Sequence, residues 1–114
     1  MVVLKKISLY LGLTTEFIES GTIHYNRELR DQERAIDICL CEGADEYINL
    51  IGGMNRLSKE SFKTNNITLK FLFTGKIRYK QFSNNFVESL SIIDVLMFND
   101  RESIGGYLNN YELL

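Results

Sequence analysis

The sequence predicts an α/β fold: a small, mostly parallel sheet of three to four strands flanked by helices, in one domain spanning residues 1–114. Three observations carry this. Helical and strand-like hydropathy periods alternate along the chain, the order that builds strand–helix–strand units. Ile67–Phe73 (ITLKFLF) places Ile67, Leu69, Phe71 and Phe73 on one side and Thr68, Lys70 and Leu72 on the other, the period of a strand. Asp31–Glu42 carries an apolar face of Ala35, Ile36, Cys39 and Leu40, and Gly43 supplies the stop of an amphipathic helix.

In chain order, Val3, Ile7, Tyr10 and Leu11 recur at helical spacing and Gly12 ends that run. Thr15–Glu19 is short and partly β-branched, hence a strand, and Ser20–Asn26 reads as a loop. Glu46–Ile51 is a strand closed by Gly52 and Gly53. Ser58 caps a short helix that Asn65 and Asn66 break. Gly75 turns the chain into Lys76–Phe82, a second alternating segment, with Ile77, Tyr79 and Gln81 against Arg78, Lys80 and Phe82. Ser91 opens a helix, and Arg101–Asn110 is a further amphipathic stretch weakened at Gly105-Gly106. So few strands leave the sheet incomplete, which suits either a minimal domain or half of a larger α/β fold.

Composition narrows the classes of function. The 114 residues are 45% hydrophobic and 25% charged, ordinary globular values. A net charge of −2 argues against a nucleic-acid partner. No apolar run approaches the roughly 18 residues of a membrane span, and MVVLKKISLYLGL lacks a signal-peptide cleavage site. Cys39 and Cys41 are poorly spaced for a helical disulfide and, with His24 the single histidine, too few for a zinc site. These features point to a cytoplasmic protein with no metal and no cofactor. Proline is absent, so loops are punctuated by Gly, Asn and Ser.

Four constellations could carry chemistry. Arg27, Arg30 and Arg34 share a helical face if that helix begins near Asn26, and three guanidiniums could grip a diphosphate. Interleaved Glu28, Asp31, Glu33 and Asp37 favour the other reading, a solvated face of weak ion pairs. Gly52-Gly53 after a strand lets backbone approach a ligand, although a plain turn is the stronger reading without a GxGxxG or GK[ST] pattern. Asp94, three residues after Ser91, reads as half of a capping box. Tyr79 and Gln81, on one side of an extended segment, could meet sugar hydroxyls or simply decorate an edge. His24 reads as a loop residue.

Several segments, taken in order, resemble the WbqC-like protein family. They are QERAIDIC (Gln32–Cys39), GADEYINLIGG (Gly43–Gly53), ITLKFL (Ile67–Leu72), YKQF (Tyr79–Phe82), LSIIDVLMFN (Leu90–Asn99) and YELL (Tyr111–Leu114). The similarity runs over about residues 8 to 114 and looks like the family's C-terminal portion. It implies a bacterial α/β protein encoded among genes for O-antigen, lipopolysaccharide or other surface-polysaccharide biosynthesis. The family's motif residues fall here on Glu33, Arg34, Asp37, Gly43, Tyr47, Asn49, Gly52, Gly53, Tyr79, Gln81, Ser91 and Asp94. The resemblance adds weight to Arg34, Asn49, Gly52 and Gly53 as ligand contacts.

The chain also departs from the family. Its members are typically about twice as long, with an N-terminal HQPxYLPW-like segment that this sequence does not contain. Leu50 and Ser89 stand where proline is usual, and Ser58 where tyrosine is. Two readings of function follow. In one, Arg27, Arg30, Glu33, Arg34, Asn49, Gly52, Gly53, Tyr79 and Gln81 bind a nucleotide-activated amino sugar. In the other, the chain is a non-catalytic interaction domain or remnant, working as a homodimer or with a partner chain that supplies an N-terminal half. Whether it is an enzyme is left open by the sequence.

Overall fold

A computed structural model describes residues 1–23 and 27–114. His24, Tyr25 and Asn26, and with them the loop reading of His24, lie outside the described residues. The chain divides into two compact units, one of Met1–Phe17 with Thr74–Tyr111 and one of Ile18–Phe73 with Glu112–Leu114.

The second unit starts with a helical turn, α2 (Ser20–Ile23), and continues into α3 (Asp31–Cys41), β1 (Glu46–Leu50), a 3-10 turn (Ile51–Gly53), α4 (Lys59–Thr64) and β2 (Thr68–Thr74). Its sheet has the order β1-β2-β3, where β3 is Tyr111–Leu113. β1 runs parallel to β2, with Glu46 beside Thr68 and Leu50 beside Leu72. β3 is antiparallel to β2, because Phe71 and Leu114 exchange both backbone hydrogen bonds at 2.9 Å. The expectation of a mostly parallel sheet is therefore corrected: among the described residues it is three-stranded and mixed. β3 escapes a periodicity reading because all three of its residues are exposed.

The core of this unit is Cys39, Phe62, Ile67, Leu69 and Phe71, with Ala35, Ile36, Ala44, Tyr47 and Leu57 packed around it. Alternation in β2 puts Leu69 and Phe71 inward, as read, but Phe73 is exposed. Phe62 stacks on Tyr47 with ring centroids 5.3 Å apart. α3 turns Cys39 in and leaves Leu40 out. Burial pushes the Cys39 thiol up, which keeps it protonated and inert. Gly43 takes the left-handed conformation (φ 66°) that the helix end requires. Ser58 caps α4 by accepting from the Ser61 N–H, and its own N–H donates to Gln32 Oε1 at 3.1 Å, tying α4 to α3.

The first unit holds α1 (Val2–Leu11), α5 (Ile92–Phe98) and α6 (Arg101–Leu108), with α6 packed on both other helices. Val95 and Ile104 are its buried apolar side chains, and Ser8 is buried with them. Gly12 ends α1 at φ 74°. Two expected strands are not formed. Thr15–Glu19 has no strand partner. Along Ile77–Phe82 burial alternates as the sequence suggests, yet no strand pairs with it, so the alternation records packing rather than a ladder.

Asp100 caps α6, accepting the Ser103 N–H at 2.8 Å, and that bond holds its carboxyl below the usual range. A depressed folded-state pKa gives stability that is present above the ordinary aspartate value and lost as pH falls through the lower one. The urea midpoint should therefore fall below about pH 4, and Asp100→Asn, which keeps a capping oxygen, should fall less steeply there.

Candidate functional site

The helix that was to align the arginines begins at Asp31, not near Asn26, so Arg27, Arg30 and Arg34 do not form a helical row. The reason is local: Arg30 is extended (φ −127°, ψ 155°) and Asp31 adopts φ 44°, so the helix does not continue back through Arg30. Arg27 lies exposed before the helix, its Nη2 donating to the Gly21 carbonyl at 3.2 Å. Arg30 occupies the N-cap and makes no side-chain cap. Glu33 is exposed in the first turn, where a carboxylate meets the positive end of the helix dipole.

Arg34 differs from its neighbours. It is half-buried, and its Nε is fully buried with no hydrogen-bond partner among the described residues. A buried donor left unsatisfied costs about 1–3 kcal/mol, more when charged, and the described residues leave that cost uncompensated at Arg34.

Asn49 and Gly53 are brought together. The Asn49 Oδ1 accepts the Leu50 N–H at 2.7 Å, and its Nδ2 donates to the Tyr47 hydroxyl at 3.4 Å. A Cβ on Gly53 would lie 3.3 Å from both Cγ and Nδ2 of Asn49. Gly53 thus gives the carboxamide room against the backbone. Neither it nor Gly52 needs a left-handed conformation, and a Cβ on Gly52 would meet open space.

Tyr79 and Gln81 lie in the first unit and converge on Asp94. The Tyr79 hydroxyl donates to Asp94 Oδ2 at 2.6 Å, and Gln81 Nε2 donates to the same oxygen at 3.3 Å. Gln81 also clasps Val87 in both directions, donating to its carbonyl at 3.0 Å and accepting its N–H at 2.9 Å. The bond to Asp94 raises the Tyr79 pKa, keeping the phenol a donor. Phe86 meets the Tyr79 ring edge-on at 5.3 Å.

Both polar side chains are therefore engaged internally, and the capping-box reading of Asp94 is corrected. Ser91 does cap α5, accepting the Ile93 N–H at 3.2 Å. The carboxylate of Asp94 instead serves Tyr79 and Gln81. Their shared side of an alternating segment was the signal that one polar partner faces them both.

Among the described residues no group of three His, Cys, Asp or Glu side chains could hold a metal, and no helix is long and apolar enough to cross a membrane. Cys39 and Cys41 are free thiols.

A family model, the WbqC-like protein family, matches residues 1–105. That span includes the first helix, so the narrower assignment to the family's C-terminal portion is not borne out. No curated protein and no solved structure matches the chain.

Proposed function

The chain belongs to the WbqC-like protein family, and on that premise we propose that it acts in bacterial O-antigen or other surface-polysaccharide biosynthesis by binding a nucleotide-activated amino sugar. The observation that carries the reading is the buried Nε of Arg34, which has no hydrogen-bond partner among the described residues. A guanidinium offers Nε and one Nη as a parallel fork, which matches two oxygens of a phosphate group. A diphosphate oxygen would satisfy the buried donor that the described residues leave open. Arg27 and Arg30 add exposed positive charge, and Glu33, Asn49 and the backbone at Gly52-Gly53 supply polar contacts for hydroxyl groups. Tyr79 and Gln81 are assigned to holding Asp94 rather than to the ligand. On this reading the protein works in the cytoplasm, as one domain over residues 1–114.

Isothermal titration of the full chain against a panel of nucleotide sugars, with inorganic diphosphate alongside, tests this. Saturable binding is expected, and Arg34→Ala should weaken it roughly 10- to 100-fold, the loss of a charge-assisted hydrogen bond. A folded chain that gives no binding heat across the panel sinks the proposal.

A second reading, a non-catalytic domain working as a homodimer or on a partner chain, is favoured by the apolar side chains left exposed. Ile93 and Met97, one turn apart on α5, are 50% and 78% exposed, and Ile48 and Leu50 of β1 are likewise uncovered. Sedimentation velocity should then show a concentration-dependent dimer that Met97→Glu disperses. A single monomer peak up to tens of micromolar removes the homodimer.

A further inference from the structure

α1 leaves several apolar side chains on its water-facing side. It buries Ser8 and half-buries Ile7 and Leu11, while Leu9 is 79% and Val2 68% exposed. Val2 and Leu9 are two helical turns apart and so share one side, with Lys6 between them. Val3 and Tyr10, also two turns apart and exposed, flank that stripe on one side, and Lys5 on the other. An amphipathic helix in solvent puts its serine out and its leucine in. Here the apolar surface is outward and asks for cover.

Charge identifies what covers it. The chain is acidic overall, at −2, yet residues 1–15 contain Lys5 and Lys6 and no acidic side chain. Arg101 of α6 lies against the C-terminus of α1, its Cζ 3.5 Å from where a Cβ of Gly12 would be. A second copy of this face related by a two-fold axis would set lysines against lysines, with no acid on the helix to pair them. An anionic surface with an apolar interior matches both features at once. Leucine, valine and tyrosine enter the headgroup boundary, and the lysine stems lie along it with their ammonium groups at the phosphates.

We propose that the outward face of α1, centred on Val2, Lys6 and Leu9, docks the protein reversibly on an anionic lipid membrane. A single short helix gives weak attachment, suited to a protein that visits the membrane surface rather than residing there.

Flotation of the full chain with vesicles of phosphatidylcholine alone, or mixed with phosphatidylglycerol, tests it. Binding is expected only with the anionic lipid and should be lost in about 0.5 M salt, where surface charges are screened. Each basic side chain near such a surface is worth about fivefold in affinity, so the double variant Lys5→Gln/Lys6→Gln should bind roughly 30-fold more weakly. Leu9→Asp should abolish binding while circular dichroism stays unchanged, since that side chain is mostly exposed. No flotation with either vesicle overturns the proposal. So does binding that ignores both the lysine and the leucine variants. A dimer seen in sedimentation velocity and dispersed by Leu9→Asp, without vesicle binding, would assign the face to a second copy instead.

Discussion

Phe62→Ala should lower the unfolding free energy by about 3–5 kcal/mol, the usual loss for a fully buried phenylalanine. Phe62 is 0% exposed, sits mid-way along α4, and closes the cluster of Cys39, Ile67, Leu69 and Phe71. Its ring stacks on Tyr47 at an interplanar angle of 8°. Truncation therefore removes both the transferred area and the aromatic partner. Domains of this size are stable by about 5–15 kcal/mol, so roughly a fifth or more of the total is at stake. The midpoint temperature should fall on the order of 15 °C. Phe82→Ala is the control: Phe82 is 98% exposed and only its edge contact with Phe98 is lost, so a change within about 0.5 kcal/mol is expected. Urea melts followed by circular dichroism measure both, and a loss under 1 kcal/mol at Phe62 would show that α4 does not close this core.

The contrast between those two phenylalanines marks what could be read from the chain. Where a periodic pattern meets a turn residue, sequence and structure agree. β2 turns Leu69 and Phe71 inward, Gly43 ends α3, and Gly12 ends α1. Each is a local rule of pleat, pitch or left-handed backbone that needs no knowledge of neighbours.

Pairing is not local, and there the reading fails. Lys76–Phe82 alternates as well as β2 does, but a ladder needs a second strand, and burial against helices makes the same pattern. β3 is the converse case, paired with no pattern. The candidate site divides in the same way. Residue types at Arg34, Asn49 and Gly53 were visible, whereas the orphaned Nε and the Asn49–Gly53 contact depend on packing. The arginine row depended on one helix boundary, and the left-handed Asp31 moved it. The helical stripe of Val3, Ile7, Tyr10 and Leu11 is covered only in part, with Ile7 and Leu11 half-buried beside Ser8 and Val3 and Tyr10 exposed, because a stripe shows which residues share a side and not how much of it is covered.

Proline at Leu50 and proline at Ser89 should give opposite results. Leu50 has φ −67° and ψ 150°, already within the range that a pyrrolidine ring imposes. Asn49 before it lies in a strand, the conformation a residue preceding proline prefers. The Leu50 N–H is also dispensable to the sheet. Because Thr68 donates to Asp45 at the start of the parallel ladder, alternate residues Tyr47 and Asn49 face β2, and the N–H of Leu50 points away. It donates to Asn49 Oδ1 instead. Leu50→Pro loses that exposed bond, about 0.5–1.5 kcal/mol, and gains about 0.4–1 kcal/mol from a stiffer unfolded chain. The two nearly cancel, so the urea midpoint should hardly move.

Ser89 sits at φ 58°, a sign that proline cannot reach. Ser89→Pro forces the backbone between Glu88 and Leu90 to rearrange and should cost upwards of about 2 kcal/mol. Ser89→Gly, free of the Cβ that makes this region costly, should stabilise by roughly 1 kcal/mol. Parallel urea melts of the three variants decide it. Damage from Leu50→Pro equal to that from Ser89→Pro would mean that the Leu50 N–H is needed, and a Ser89→Pro as harmless as Leu50→Pro would mean that the turn at Ser89 is not left-handed.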